Sequence, residues 1–278
     1  HPPWRNRSTT VVAHERQTMT DARATAEALY RARETRVPVP PLTEADPSLT
    51  AEGAYEIQGH FVELLKGEEG RIVGYKLGLT SKSMQEMLGI GEPDYGPVVS
   101  SMAFDDGVTV DLDRYIQPKV EGEIALMIDK PVQGPGVTAA QVADSLSGAV
   151  AAIEMVDSRI ADWKIKLPDT IADLASSAAA VLSSRVVPVD FDLRLCGMVI
   201  TKNGETMGTG AGAAALGDPV AAVAWLANTL APFGVVLEPG HFIMTGALHA
   251  AFEVEPGDHV QADFDHLGSV SMSFVGGE

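Results

Sequence analysis

Apolar and polar residues alternate along several short stretches of the chain, and this period of two predicts β-strands. Other stretches place apolar residues every three to four positions, which predicts amphipathic helices. We predict strands over residues 71–80, 108–112, 117–128, 149–156, 186–190, 193–202 and 269–275, and two more after the Pro-Gly turns at 239–240 and 256–257. We predict helices over residues 21–33, 50–66, 81–88, 138–146, 169–177 and 218–230. The fold class expected from this pattern is α+β, with most of the sheet in the larger, C-terminal part.

Local signals sharpen some of these boundaries. Thr50, Thr138 and Asp218 are suited to cap the helices that follow them, because their side-chain oxygens accept hydrogen bonds from free helix N–H groups. Asn203-Gly204 predicts a tight hairpin turn. The glycine-rich residues 205–212 are interpreted as a loop that lacks the Lys-Ser/Thr of a phosphate-binding loop.

The 278 residues suffice for one large domain or for one domain with a smaller companion. Residues 1–18 are polar, contain arginine and show no periodicity, so we expect a disordered leader. Residues 19–70 are expected to form a helical N-terminal cap, and residues 71–278 a mostly β domain. No apolar stretch reaches the length that a membrane span needs.

Charge and cysteine content limit the classes of function. The chain has 20 basic and 38 acidic residues, so its net charge of −18 should repel nucleic acid and anionic membranes. An anionic substrate would need a local positive focus, which a bound metal and one well-placed lysine or arginine would supply. Cys196 is the only cysteine, so no internal disulfide forms. This agrees with a reducing compartment, and we expect a cytoplasmic protein.

Two acidic residues share one face of the strand predicted over 117–128. Glu121 and Glu123 are two apart, so on a strand both side chains point the same way. Neighbouring carboxylates repel each other unless a cation lies between them, and hard divalent cations such as Mg²⁺ take oxygen ligands. The pair fits a metal site, and it also fits a solvent-facing pair on an edge strand.

A third acid lies inside the apolar run 149–156. Glu154 is its only charged residue, and a buried charge needs a partner. A structural ion pair with Arg159 would satisfy it. Convergence with Glu121 and Glu123 would instead make a site for a hard cation with open positions for water and substrate.

Lys76 and Asp94 are further candidates. Lys76 lies in an apolar strand between Gly74 and Gly78, which allow close approach of other chain segments. It either extends to solvent or points into a site. Asp94, in a tight loop, either caps a turn or belongs to the same site.

Ordered motifs along the chain resemble the hydratase/decarboxylase family of aromatic meta-cleavage pathways, within the fumarylacetoacetate hydrolase superfamily. The matching segments are residues 74–80, 92–96, 117–125, 154–159, 169–177, 216–219 and 244–248, so that the likeness covers about residues 20–276. The resemblance implies an irregular, mostly β core like that of the fumarylacetoacetase C-terminal domain, with a helical N-terminal cap. Residues 71–278 would then be the catalytic domain.

The resemblance also implies roles for single residues. Glu121, Glu123 and Glu154 would hold Mg²⁺ or Mn²⁺, Lys76 would be the catalytic lysine, and Asp94 would be a second polar group near the substrate. The residues expected at the substrate are Leu79, Ser177 and Thr245. The substrate would be a small anionic 2-hydroxydienoate. A homo-oligomer and association with a pathway enzyme are expected as well.

The sequence departs from the family's pattern at three positions. Leu174 stands where asparagine is usual, Asp218 where histidine or asparagine is common, and His249 where hydratases often carry Gly-Pro. The family contains hydratases of 2-hydroxy-2,4-dienoates and decarboxylases of 4-oxalocrotonate.

We predict a hydratase, because the residues placed near the far end of the substrate include no lysine or arginine to pair with a second carboxylate. These residues are Leu174, Ala175, Ala247 and Leu248, with His249 as the one exception. A 4-oxalocrotonate decarboxylase is the first alternative. A catalytically silent partner subunit is another, and a C–C bond hydrolase that uses His60 and Glu63 on a lid is a third.

Overall fold

Two β-sheets pack against each other in a computed structural model that describes residues 8–67, 70–82, 85–86 and 90–277. The strands are β1 Ile72–Gly78, β2 Asp94–Val99, β3 Ala103–Asp105, β4 Val108–Asp111, β5 Lys119–Ile128, β6 Leu146–Val156, β7 Ser177–Leu182, β8 Gly197–Lys202, β9 Glu205–Ala211, β10 Phe242–Ala247, β11 Phe252–Glu253, β12 His259–Phe264 and β13 Gly268–Val275. The helices are α1 Ser8–Thr35, α2 Leu42–Ala45, α3 Ala51–Lys66, α4 Ala139–Ala143, α5 Leu167–Ala172 and α6 Pro219–Leu230.

The larger sheet has the order β2-β1-β10-β5-β6-β7-β3, with the short β11 also paired to β5. The smaller sheet has the order β4-β13-β12-β8-β9. Apolar side chains of both sheets form one core, which includes Ile124 and Ile153 of the larger sheet and Val260 and Met272 of the smaller one. This agrees with the α+β, mostly β fold that the sequence predicts.

The larger sheet is strongly curled. A flat sheet would separate β1 from β6 by about 14 Å, three strand spacings. Lys76 of β1 nevertheless lies 3.2 Å from Glu154 of β6. At the same place, the backbone of Gly96 on β2 packs directly on the carbonyl of Leu174, just before β7 begins. The curl therefore brings the two ends of the sheet together around a polar centre.

The N-terminal helices cover this end of the sheet. Gln58 of α3 is buried and donates from Nε2 to the carbonyls of Tyr95 and Ile171, at 2.8 Å each. Tyr55 stacks on Tyr95 with ring centroids 4.5 Å apart. Thr43 of α2 is bound by the buried carboxylate of Asp169. The cap is thus bonded to β2 and α5, the elements that border the polar centre.

Several predicted boundaries are confirmed. Thr50, Thr138 and Asp218 each accept a hydrogen bond from the first turn of the helix that follows. The turn at Asn203-Gly204 joins β8 to β9 as a hairpin.

Other boundaries are wrong. Residues 186–190 contribute only an isolated bridge from Val187 to Ala149, and all of the predicted glycine-rich loop except Gly212 forms strand β9. Strand pairing overrode the glycine pattern there. Helix α1 begins within the predicted leader, and residues 1–7 of that leader lie outside the described part. The helix predicted over 81–88 falls partly outside it too.

One stretch corrects the expectation about membrane-length segments. Gly212–Phe233, which contains α6, is long and apolar enough to cross a membrane by length and composition alone. Half of an 18-residue window within this stretch is buried inside the protein, and Ala222, Val223 and Leu226 are fully buried in the core. Its apolar character is that of a core helix.

Candidate functional site

Three glutamates converge on the inner face of the curled sheet. Glu121 and Glu123 lie two apart on β5, and Glu154 lies directly opposite Glu121 in the antiparallel register of β5 and β6. One carboxylate oxygen from each residue lies within 4.8 Å of those of the other two. Glu123 and Glu154 are fully buried, whereas Glu121 is half-buried at the rim. The edge-strand interpretation of this pair is therefore wrong, since β5 is a central strand.

The charges of this cluster are poorly satisfied by the protein. Burial, together with the neighbouring Glu154, raises the pKa of Glu121 to about 7. Burial and the other two carboxylates raise the pKa of Glu123 well above its usual value. Glu123 accepts the Gly246 N–H at 2.9 Å through Oε2, but Oε1 of Glu123 and Oε1 of Glu154 have no hydrogen-bond partner among the described residues. Unpaired buried oxygens of this kind fit a hard divalent cation.

Lys76 points into the centre and is only 3% exposed, so the solvent-facing interpretation of this residue is wrong. Its Nζ lies 3.2 Å from Glu154 Oε2 and donates to the Ala175 carbonyl at 2.8 Å. Glu154 therefore pairs with Lys76 and not with Arg159, whose buried guanidinium binds Asp173 instead.

Burial lowers the pKa of Lys76, but Glu154 and the other nearby carboxylates outweigh it and raise the pKa above its usual value. In the metal-free protein Lys76 is an ammonium ion. Catalysis by a neutral lysine requires a lower pKa of Lys76, and a cation that neutralises the glutamates would provide it.

Asp94 borders the same centre, at the start of β2. Its Oδ2 accepts the hydroxyl of Thr170 at 3.1 Å, and its Oδ1 has no hydrogen-bond partner among the described residues. Oδ1 lies so close to Gly78 that a side chain there would collide with it. Burial raises the pKa of Asp94 more than Lys76 lowers it. A buried carboxylate with one open oxygen can accept a proton or hold a water molecule.

A left-handed turn supports the lysine. Leu174, Ala175 and Ser176 have φ values of 60°, 51° and 57°, a conformation that costs non-glycine residues about 1–2 kcal/mol each. This turn directs the Ala175 carbonyl at Lys76. The Leu174 side chain is fully buried in an apolar cluster that also contains residues of the N-terminal helices. The helix predicted over 169–177 ends at Ala172, because the left-handed turn follows there.

The residues expected at the substrate lie around the glutamates. Ser177 is buried beside Glu154, and burial raises the pKa of Glu154 against the opposing effects of Lys76 and Ser177. The hydroxyl of Thr245 donates to the Ile124 carbonyl at 2.8 Å, which bonds the bulged part of β10 to β5. Leu79 is half-buried in the left-handed region after β1. Contact of these three residues with substrate stays a prediction.

Sequence reasoning missed three contributors. Gly246 gives its N–H to Glu123, at a φ of 119° that favours glycine. Thr170 orients Asp94, and His249 bonds to the backbone between Glu121 and Glu123. The sequence shows Thr245 next to Gly246, but no periodic pattern predicts contacts over long distances along the chain. Thr170 and Asp94 are 76 positions apart, and His249 and Gly122 are 127 positions apart.

Glu63, which with His60 would serve a C–C bond hydrolase, is exposed on α3 and forms an ion pair with Lys66. The described structure gives this pair no contact with the glutamate cluster. The hydrolase alternative therefore has no support in the geometry.

Comparison with known proteins places this site in a family context. The sequence model described as fumarylacetoacetate (FAA) hydrolase C-terminal matches residues 95–275. A 2-hydroxyhexa-2,4-dienoate hydratase of Comamonas testosteroni is 40% identical over 250 residues, covering 89% of this chain and 95% of the relative. A 2-hydroxypent-2,4-dienoate hydratase of Pseudomonas putida is 46% identical over 209 residues, covering 74% and 94%.

Among solved structures, 4-oxalocrotonate decarboxylase of Pseudomonas putida G7, complexed with magnesium and adipate, has a TM-score of 0.89. It is 35% identical in sequence, and the match covers 92% of this chain and 98% of that one. The similarity extends over the cap as well as the core.

Proposed function

The chain belongs to the fumarylacetoacetate hydrolase C-terminal family, and from this premise we propose that it is a divalent-metal-dependent hydratase, a hydro-lyase of aromatic meta-cleavage catabolism. Its substrate would be a 2-hydroxy-2,4-dienoate, and its product a 4-hydroxy-2-oxo acid. The observation that carries the proposal is the convergence of Glu121, Glu123 and Glu154 on one side of a buried Lys76 with Asp94 near it.

The three glutamates would hold Mg²⁺ or Mn²⁺, the ions that suit a cluster made only of carboxylate oxygens. When bound, such an ion supplies a Lewis acid that binds the anionic end of the substrate and stabilises negative charge developing on its oxygen. Glu123 and Glu154 are fully buried and lie deep in the centre, whereas Glu121 is half-buried at its rim.

Lys76 and Asp94 would move the protons. Hydration of a conjugated dienol begins with a proton delivered to the far carbon of the diene. Water then adds to the carbon next to that one, and a second proton is delivered to the following carbon. Lys76 Nζ is held between Glu154 and the Ala175 carbonyl, so its ammonium is oriented as a proton donor. Asp94, through its open Oδ1, would receive or orient the attacking water.

Buried surroundings exclude bulk water from this chemistry. The strands under the site are lined by Ala, Val and Ile, and Lys76, Asp94, Glu123 and Glu154 are each at most 3% exposed. Excluding water strengthens the interaction of the ammonium with developing negative charge.

The experiment offers the purified protein 2-hydroxypenta-2,4-dienoate with Mg²⁺, follows the loss of dienol absorbance and identifies the product. We expect 4-hydroxy-2-oxopentanoate, and no turnover after exhaustive chelation until Mg²⁺ or Mn²⁺ is restored. Turnover that survives chelation unchanged would contradict the metal requirement.

A decarboxylase remains the alternative that a specific observation favours. Lys119 lies on the same face of β5 as Glu121, and its charge partly opposes the rise that burial and Glu154 cause in the pKa of that glutamate. This cation would pair with a second carboxylate of the substrate. Rapid release of CO₂ from 4-oxalocrotonate without hydration of the monocarboxylate dienol would establish this alternative and overturn the hydratase.

We also propose that the protein is cytoplasmic and assembles as a homo-oligomer, with association to a pathway enzyme as a further expectation. The single cysteine, Cys196, agrees with the first suggestion, since it fits a reducing compartment. Size-exclusion chromatography with light scattering measures the assembly, and a mass equal to one chain would contradict it.

A further inference from the structure

His249 fills a gap in the sheet beside the metal-binding segment. Strand β5 pairs with β10 as far as Glu123, opposite Ala247, and with β11 from Val120, opposite Phe252. Between these points, residues 248–251 leave the strand path. Gly122, which lies between Glu121 and Glu123, therefore faces a stretch that cannot continue the regular ladder.

Both backbone groups of Gly122 are nevertheless bonded across the gap. The Leu248 N–H donates to the Gly122 carbonyl at 3.1 Å. The Gly122 N–H donates to Nε2 of the His249 side chain at 2.8 Å. The imidazole thus takes the place of the missing strand carbonyl, and without it a buried N–H group would lose its acceptor.

The second ring nitrogen fixes the form of the histidine. Nδ1 lies 2.7 Å from the Ala250 carbonyl, which can only accept a hydrogen bond. Nδ1 must therefore carry the proton, which leaves Nε2 as an acceptor for Gly122. Burial lowers the pKa of His249, in agreement with a neutral ring. Because Nε2 is already bonded, it is not a further metal ligand.

The glycines of β9 make room for this arrangement. A Cβ atom on Gly208 would lie 2.9 Å from Cγ and Nδ1 of His249. A Cβ atom on Gly210 would lie 2.8 Å from the carbonyl carbon of Leu248. The glycine pattern of this strand is thereby explained by close packing on residues 248 and 249.

We propose that His249 is a positioning residue for the metal centre: its neutral imidazole holds the Gly122 N–H and so fixes the spacing and direction of the two carboxylates on either side. Glycine has more backbone freedom than any other residue, so the segment needs an external restraint to present both side chains to one ion. Groups that orient metal ligands commonly change metal affinity by about 10–100-fold. The proposal rests on the function proposed above, because it assumes that these carboxylates bind a cation.

Two substitutions of similar size separate positioning from packing. His249→Gln keeps an acceptor oxygen near the place of Nε2, whereas His249→Met fills the space without one. Mg²⁺ is titrated calorimetrically into the full chain after removal of metal by chelator. We expect His249→Met to weaken Mg²⁺ binding about 10-fold or more, and His249→Gln to restore most of the affinity. Equal affinity in wild type and His249→Met, with both folded, overturns the proposal.

A second pair of variants tests the same ring without removing it. Gly208→Ala should displace the imidazole and weaken Mg²⁺ binding, while Gly197→Ala in β8, whose Cβ would meet no atom within 4 Å, should not. A Gly208→Ala protein that binds Mg²⁺ as tightly as Gly197→Ala would count against the proposal.

Two further measurements keep the outcomes distinct. If the variants fail to fold, the ¹⁵N spectrum of wild-type histidines decides: protonation at Nδ1 of His249 supports the proposal, and protonation at Nε2 refutes it. Wild-type protein that binds no Mg²⁺ refutes the metal centre itself. Wild-type binding with unchanged affinity in His249→Met refutes only the role of His249.

Discussion

At the scale of single residues, the centre is a set of charges that do not balance without a cation. Four carboxylates, Glu121, Glu123, Glu154 and Asp94, lie around one ammonium, Lys76. Burial raises the pKa of each of these acids. Such clusters are stable only when a metal, a proton or a substrate completes them, which is why they are typical of functional sites.

Lys76→Met should lower kcat by about 100-fold or more, since it removes the proposed proton donor and leaves Glu154 without its ion pair. Steady-state kinetics of the hydration of 2-hydroxypenta-2,4-dienoate give kcat for both proteins. Lys66→Met, on the surface of α3, is the matched control and should keep wild-type kcat. A Lys76→Met enzyme within twofold of wild type would contradict the role.

Glu123→Gln should abolish detectable Mg²⁺ binding while the metal-free protein stays folded and at least as stable as wild type. The amide oxygen can still accept the Gly246 N–H, and one of three repelling charges is gone. Calorimetric titration and thermal unfolding measure the two effects. Glu253→Gln on β11 serves as the exposed control. Undiminished Mg²⁺ affinity in Glu123→Gln would argue against the three-carboxylate site.

At the scale of elements, the site depends on where backbones touch. Strand β2 meets the left-handed turn at residues 174–176 through Gly96, and this contact keeps the Ala175 carbonyl directed at Lys76. A Cβ atom on Gly96 would lie 2.7 Å from the carbonyl carbon of Leu174, closer than real Cβ atoms approach.

Gly96→Ala should therefore destabilise the protein by about 2 kcal/mol or more, because the neighbouring backbone cannot move aside easily. Activity should fall with it. Gly59→Ala on α3 meets no atom within 4 Å, so this control should stabilise the helix by up to about 1 kcal/mol. Denaturant unfolding at saturating Mg²⁺ measures both. A Gly96→Ala midpoint equal to that of wild type would show that the contact is not tight.

At the scale of the whole molecule, the charge cluster links stability to pH and to metal. The folded pKa of Glu121, about 7, lies above the value of an unfolded glutamate. A group with a raised folded pKa binds protons more tightly when folded, so its contribution is fully present below the unfolded pKa and is lost as pH rises through the folded one.

The melting temperature of metal-free protein should accordingly fall as pH rises from about 6 to 8. Mg²⁺ should reverse this fall, because bound cation offsets the repulsion between ionised carboxylates. Glu121→Gln should flatten the pH dependence without removing it, since burial and the neighbouring carboxylates also raise the pKa of Glu123 well above its usual value. Scanning calorimetry in chelator measures this, and a melting temperature that rises over the same range would contradict it.

Local patterns in the sequence are enough to mark the acidic residues of the candidate site. Alternation on β5 put Glu121 and Glu123 on one face, and a lone acid in an apolar run marked Glu154, because period and burial follow from local order. The helix caps at Thr50, Thr138 and Asp218 are likewise local and were predicted correctly.

How these residues pair depends on the folded arrangement of distant segments. The curl of the larger sheet brings Lys76 to Glu154, and Arg159 binds Asp173 instead. Pairing with β8 in the smaller sheet makes residues 205–211 a strand, which packs on His249. No short-range pattern encodes such contacts, because they depend on how distant segments meet when the two sheets bury their apolar faces. The same reason explains why the bond from His249 to Gly122, across 127 positions, became visible only in the folded protein.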